Sequence, residues 1–127
     1  MDQSEPQPKP IILIADDEEA IRKLLSHAFD AAGFQILTAA NGLEALRICK
    51  EEKVDVIVTD LVMPQKEGIE MIRILRKDYP ALKIVAMSGW FADTGLRAAK
   101  ILGADAVVAK PLHLPTLVGT VRSLLEE

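Results

Sequence analysis

Short apolar runs alternate with longer amphipathic segments along almost the whole chain. Five runs have the length and the β-branched content of strands, and they cover residues 11–15, 34–39, 54–60, 83–87 and 105–109. After each of them, apolar residues recur at helical spacing, and the last such segment reaches residue 125. Strands and helices that alternate with short connections are typical of a parallel sheet with helices on both faces. The pattern therefore predicts one α/β domain.

The third run, at residues 54–60, is the starting point for predicting a functional site. Its segment from Val54 to Val58 is apolar and β-branched except for Asp55, which is typical of a parallel strand covered on both faces. It ends at Asp60, and Pro64 follows soon after. Ligands of open α/β sheets bind at the carboxyl ends of the strands, so Asp60 is placed at that edge. Taken alone, an Asp at this point is also a common turn residue.

Composition limits the classes of protein to consider. Of the 127 residues, 50% are hydrophobic and 27% charged, which is enough to build a core without disulfides. The net charge of -4 and the lack of a basic cluster argue against direct binding of nucleic acid. The single Cys49 lies on an apolar helical face, so we expect it to be buried. No run is long enough to cross a bilayer and no signal peptide is recognisable, so we expect a cytoplasmic protein without a membrane partner.

The first ten residues differ from the rest of the chain. The segment MDQSEPQPKP is polar and rich in proline, with nothing to bury. We therefore expect a disordered tail at residues 1–10 and a folded domain at residues 11–127.

Chemically reactive side chains follow four of the five predicted strands. Asp16 and Asp17 come after the first, Asp60 ends the third, and Ser88 and Lys110 follow the fourth and the fifth. In a parallel sheet these residues meet at one edge. Two carboxylates roughly 5 Å apart repel each other by about 3 kcal/mol at an effective dielectric constant near 20, so a cluster of them requires a cation. A few carboxylates with room for water favour Mg²⁺, and a lysine and a hydroxyl beside it suit phosphoryl transfer.

Each of these residues also has a simpler interpretation. The two acids suit the N-terminus of the following helix, where they would act as caps. Ser88 fits an ordinary turn, and Lys110 fits a solvated surface. The arrival of all of them at the ends of strands in one sheet favours a common site.

The ordered motifs resemble those of the receiver domain of two-component response regulators. They are I-L-I-A-D-D-E, V-T-D-L-V-M-P, M-S-G after the fourth strand, and G-A-D followed by A-K-P, and together they span residues 11–125. The resemblance implies a flavodoxin-like, doubly wound sheet of five parallel strands in the order 2-1-3-4-5. It also implies a phosphoprotein that takes its phosphoryl group from a histidine kinase, a phosphotransfer protein or a small acyl phosphate.

The same resemblance assigns roles to residues. Asp60 becomes the phosphoacceptor, Lys110 pairs with the phosphate and Ser88 binds a phosphoryl oxygen on activation. The implied cofactor is Mg²⁺, held by Asp60 and by three further groups: Asp17 directly, Asp16 through water, and the backbone carbonyl of Val62. The bond between Lys110 and Pro111 is expected to be cis. The output is expected to be a protein–protein interaction, with a phosphorylation-dependent homodimer as one form of it, and no catalysis beyond the domain's own phosphorylation and dephosphorylation.

The chain departs from the family pattern at three places. Val107 and Leu112 stand where aromatic residues are usual, and Lys66-Glu67-Gly68 varies a stretch that often has Asp before the Gly. Without an aromatic at 107, Trp90 is the ring nearest Ser88 in sequence, and it is expected either to gate the site or simply to cover apolar surface. His27 and His113 have no counterparts in the family's site, so we interpret both as surface residues.

Three other functions compete with this one. A flavin-binding module would need a glycine- or hydroxyl-rich loop after the first strand, where this chain has four acids. An aspartyl phosphatase would carry a second acid two residues after the nucleophile, where this chain has Val62. A receiver-like module that binds partners without phosphate turnover is the remaining alternative, and the complete acidic set argues against it.

Overall fold

A computed structural model describes residues 8–61, 68–89, 97, 100 and 103–127. Within these residues five strands and four helices alternate in sequence, apart from β4 and β5, which follow each other directly among the described elements. The elements are β1 (Ile11–Ala15), α1 (Glu19–Ala31), β2 (Gln35–Ala39), α2 (Gly42–Glu51), β3 (Val56–Asp60), α3 (Gly68–Asp78), β4 (Lys83–Ser88), β5 (Ala106–Ala109) and α4 (Leu114–Leu125).

All neighbouring strands are parallel, and the sheet order is β2-β1-β3-β4-β5. The predicted doubly wound architecture and its strand order are therefore confirmed. Apart from residues 97 and 100, which are helical, the predicted helix at residues 91–102 lies outside the described residues, as do residues 1–7 of the predicted tail and the segment at 62–67. No described helix has the length and apolar content needed to cross a membrane.

The two faces of the central strands belong to two separate hydrophobic clusters, because side chains alternate along a strand. In β1, Ile12 and Ile14 face the cluster covered by α1 and α4, whereas Leu13 and Ala15 face the cluster covered by α2 and α3. The same alternation holds along β3 and β4, whose apolar residues are fully buried. Burial on both faces explains why these strands are continuous apolar runs in the sequence.

Several predicted boundaries shift by one or two residues. The third strand starts at Val56 rather than at Val54. Just before it, the Asp55 side chain accepts a hydrogen bond from the Ile11 N–H at 2.8 Å, which ties the start of β3 to the start of β1. Phe34 precedes β2 and packs edge-on against Phe29, with ring centroids 5.3 Å apart. The four acids do not all belong to the first helix, which begins only at Glu19.

Helix α1 ends just before a glycine and buries a narrow apolar face. Gly33 has a φ of 96°, the left-handed conformation that commonly terminates helices. Leu25 and Phe29 are completely buried, but Leu24 is 47% exposed although its spacing fits the same apolar stripe. It therefore lies at the edge of the contact with the sheet. The expected exposure of His27 and His113 and the expected burial of Cys49 are confirmed.

Candidate functional site

The carboxyl edge of the sheet gathers the polar side chains that the sequence placed at strand ends. Asp16 directly follows β1, Asp60 and Ser88 are the last residues of β3 and β4, and Lys110 directly follows β5. Asp16, Asp60 and Ser88 are 0%, 6% and 2% exposed, so three polar groups are buried at the carboxyl ends of neighbouring strands. Burying polar groups is costly unless they have partners, so their partners determine what this edge can do.

Lys110 is the residue that joins the acids across the sheet. Its Nζ lies 3.3 Å from Asp16 Oδ2 and 3.2 Å from Asp60 Oδ2, and its side chain is 20% exposed. Burial alone would lower the pKa of Lys110, but the charges of Asp16 and Asp60 outweigh it and the pKa is raised. The ammonium group is therefore charged at neutral pH. This excludes the simple surface interpretation of Lys110.

The stem and backbone of Lys110 are also held in place. Its N–H donates to the carbonyl oxygen of Ser88 at 3.0 Å, which continues the pairing of β4 with β5 past the end of β5. A Cβ added at Gly89 would lie 3.3 Å from the Lys110 Cβ, so the backbone after β4 lies directly against the lysine stem. The bond to Pro111 is cis, as the resemblance implied.

Asp16 is a structural centre as well as an acid. Its Oδ1 accepts the Glu18 N–H at 2.9 Å, which forms a tight turn into α1, and its Oδ2 accepts from Lys110. Burial raises the pKa of Asp16 and the charge of Asp60 adds to this, while the Glu18 N–H and the ammonium of Lys110 oppose it. The capping interpretation of this residue is therefore wrong, because the N-cap of α1 is Glu18 and no side chain caps the helix there. Asp16 instead organises the turn before the helix and faces the site at once.

Asp17 differs from Asp16 in its exposure to solvent. Carboxylate oxygens of Asp16, Asp17 and Glu18 lie within 4.8 Å of one another, and such an oxygen set suits Mg²⁺. Sequence reasoning did not name Glu18 as part of this group. The uninterrupted run of acids after β1 was the signal available for it. Asp60 is not one of these three acids. It lies at the same edge of the sheet, at the end of β3, and Lys110 bonds to it as well as to Asp16.

The backbone of the candidate acceptor is enclosed by two residues that the sequence did not single out. The buried Thr59 hydroxyl donates to the Asp60 carbonyl oxygen at 2.9 Å. A Cβ added at Gly68, the first residue of α3, would overlap that same oxygen and would lie 2.6 Å from the Leu61 Cα. The N–H of Gly68 also donates to the Leu61 carbonyl oxygen at 3.1 Å. The start of α3 is therefore packed directly on the peptide that follows Asp60.

The structure brings together five of the six predicted site residues: Asp16, Asp17, Asp60, Ser88 and Lys110. The sixth, Val62, lies outside the described residues, as does Trp90. Val107, which replaces the usual aromatic residue, is half-buried on β5, pairs with Ala86 and packs against the cluster beneath α2 and α3.

Comparison with known proteins identifies relatives for this arrangement. Residues 12–122 match the family described as the response regulator receiver domain. The chain is 36% identical over 115 residues to the response regulator receiver protein CpdR of Brucella abortus, covering 90% of this chain and 95% of that protein. It is 37% identical over 121 residues to the sensor kinase CckA of the same organism, covering 91% of this chain but 12% of the kinase. The chain spans 46% to 48% of the length of five further curated relatives.

Solved structures agree with the observed fold. The chemotaxis response regulator CheY4 of Vibrio cholerae superposes with a TM-score of 0.84 at 29% identity, covering 92% of this chain and 99% of that one.

Proposed function

Since this chain belongs to the response regulator receiver family, and is thus a phosphoacceptor domain of two-component signalling, we propose that Asp60 receives the phosphoryl group. The observation that carries the proposal is the position of Lys110, whose Nζ lies 3.2 Å from Asp60 Oδ2 at the carboxyl edge of the sheet. Asp60 is the acid that ends a central strand, and Ser88 ends the neighbouring one.

In the proposed reaction a carboxylate oxygen of Asp60 attacks the phosphorus of a phosphohistidine or an acyl phosphate. The new O–P bond forms as the bond from phosphorus to the donor nitrogen or oxygen breaks, and the departing imidazole or carboxylate keeps that electron pair. Lys110 provides positive charge beside the phosphoryl oxygens, and the Ser88 hydroxyl donates a hydrogen bond to one of them. Bound Mg²⁺ would neutralise the charge that develops on those oxygens.

We assign the metal to the acids after β1 together with Asp60. Asp17, which is exposed, is the proposed direct ligand, and Asp16, which is buried and bound to Lys110, is the proposed ligand through water. The carbonyl of Val62 completes the set by family resemblance, outside the described residues. Asp17→Asn is expected to weaken Mg²⁺ binding in calorimetric titration more than Asp16→Asn does. Equal losses in the two variants would mean that the direct ligand is not Asp17 alone.

Phosphorylation itself is tested by intact-mass analysis after incubation with acetyl phosphate and Mg²⁺. We expect one added phosphate on the wild type and none on Asp60→Asn. Asp30→Asn, which removes an exposed acid on α1, is the matched control and should be labelled like the wild type. Labelling of Asp60→Asn at the wild-type level would refute the assignment. A wild type that takes no phosphate would favour the receiver-like interaction module.

The partners follow from this reaction. A histidine kinase or phosphotransfer protein would donate the phosphoryl group in the cytoplasm, and an effector protein, or a second copy of this chain, would bind the phosphorylated form. The proposed output surface comprises β5, α4 and the predicted helix at residues 91–102, because Lys110 and Ser88 lie beside the first two. Tight binding of duplex DNA at physiological salt would contradict an output through protein partners.

A further inference from the structure

We propose that Arg22 is a positioning residue for the metal-binding loop at residues 16–18, and that it holds this loop in the shape that Mg²⁺ requires. This inference rests on the function proposed above, and it concerns a residue outside the predicted site.

The side chain of Arg22 reaches back along the chain from the first turn of α1. Its Nη1 donates to the carbonyl oxygen of Asp16 at 2.8 Å, and Arg22 as a whole is half-buried. The backbone N–H of the same residue donates to the Glu18 carbonyl oxygen at 3.1 Å. One residue therefore holds the backbone at both ends of the acidic loop. Asp17 lies between these two attachment points.

The link to Arg22 completes the fixation of Asp16. The N–H of Asp16 donates to the Ala39 carbonyl oxygen at 3.1 Å, its Oδ1 accepts from Glu18, and its Oδ2 accepts from Lys110. With Arg22 on its carbonyl oxygen, every polar atom of Asp16 has a partner, and these partners lie in β2, in α1, in the loop itself and after β5. The exposed Asp17 carboxylate then projects from a backbone that cannot easily rotate.

Fixing the loop favours metal binding because less conformational entropy is lost when the ion binds. Removing a partner that orients a metal ligand typically lowers metal affinity 10- to 100-fold. The bond to Arg22 holds the loop backbone and not a ligand atom, so its effect should be smaller than that of a direct partner. We therefore expect a loss near the lower end, about tenfold. Simple electrostatics predicts the opposite, because removing a guanidinium group from the vicinity of a cation would strengthen metal binding. The two effects have opposite signs, so the measurement separates them.

The test compares Arg22→Gln with Arg122→Gln. Arg122 makes the same kind of bond, from its guanidinium group to the Ala32 carbonyl oxygen at 2.8 Å, but at the far end of α1 from the loop. Calorimetric titration with Mg²⁺ is carried out on variants shown by circular dichroism to be folded. We expect Arg22→Gln to have a dissociation constant about tenfold higher than both the wild type and the control.

A second readout separates positioning from a general loss of structure. The rate of labelling by acetyl phosphate is measured against Mg²⁺ concentration. Positioning predicts that Arg22→Gln needs more Mg²⁺ for half-maximal labelling but reaches nearly the wild-type rate at saturation. Arg22→Lys should recover part of the affinity, because an ammonium group can donate to the same carbonyl.

Affinity in Arg22→Gln that is equal to or tighter than in Arg122→Gln would overturn the inference and leave the proposed function intact. Absence of Mg²⁺ binding by the wild type would instead refute the metal site, and this inference with it.

Discussion

The packing of α3 on the acceptor strand makes Gly68 a position at which a single added methyl group should be destabilising. A Cβ built there overlaps the Asp60 carbonyl oxygen and lies 2.6 Å from the Leu61 Cα. Both obstacles are backbone atoms, so no side-chain rotation relieves the contact. Overpacking of this kind costs about 1–3 kcal/mol. The change also moves the peptide that carries Asp60.

A second Gly→Ala change, at Gly119, should have the opposite effect on stability and serves as the comparison. Gly119 lies within α4, is exposed, and has no atom within 4 Å of an added Cβ. Replacing an interior helical Gly by Ala stabilises by about 0.5–1 kcal/mol. Gly119→Ala should therefore be more stable than the wild type, and Gly68→Ala less stable, because the overlap at Gly68 outweighs any helical gain there. The two variants should differ by the overlap, about 1–3 kcal/mol, plus any shortfall in helical gain at position 68.

Equilibrium unfolding in urea, with the same slope against denaturant for both variants, gives these free energies. Labelling by acetyl phosphate provides the functional readout, and we expect it to slow in Gly68→Ala only. If Gly68→Ala is as stable as Gly119→Ala and is labelled at the wild-type rate, then α3 does not pack against the acceptor peptide as described, and the reasoning fails.

Two further predictions concern groups away from the site. Arg76 donates to the carbonyl oxygens of Gly103, Pro80 and Leu82 and to the Asp105 carboxylate, and the ion pair is partly buried. Arg76→Ala should therefore lower the free energy of unfolding by about 2 kcal/mol in urea titration; a loss like that of an exposed pair, under about 1 kcal/mol, would contradict this. Burial raises the pKa of the Cys49 thiol to about 11 from 9.0. The unfolded chain thus ionises first, and the free energy of unfolding should fall by about 2 kcal/mol as pH rises from 9 to 11. Cys49→Ala should reduce this fall, and an unchanged dependence on pH in that variant would contradict the prediction.

The order of the elements and the edge that carries the chemistry could be predicted from the sequence. The alternation of apolar runs with helical spacing is a local property, and each strand is short enough for its end to be recognised. Because the sheet is parallel, the carboxyl ends of its strands lie at one edge. Residues identified separately at those ends therefore had to meet there. Asp16, Asp60, Ser88 and Lys110 were found in this way, and their specific combination carried the family resemblance. The roles assigned to these residues stay predictions, as do those assigned to Asp17, Val62 and Trp90.

Only the tertiary structure decided how these groups are related to one another. Asp16 and Asp17 are neighbours with the same side chain, yet one is buried and the other exposed, because the turn after β1 directs them differently. Lys110 reaches acids 94 and 50 residues earlier in the chain, and no local pattern encodes that contact. The tight approach of Gly68 to Asp60 and the exposure of Leu24 likewise depend on how helices dock on a twisted sheet. Periodicity determines which face of an element is apolar, whereas the distances between elements result from packing all of them together.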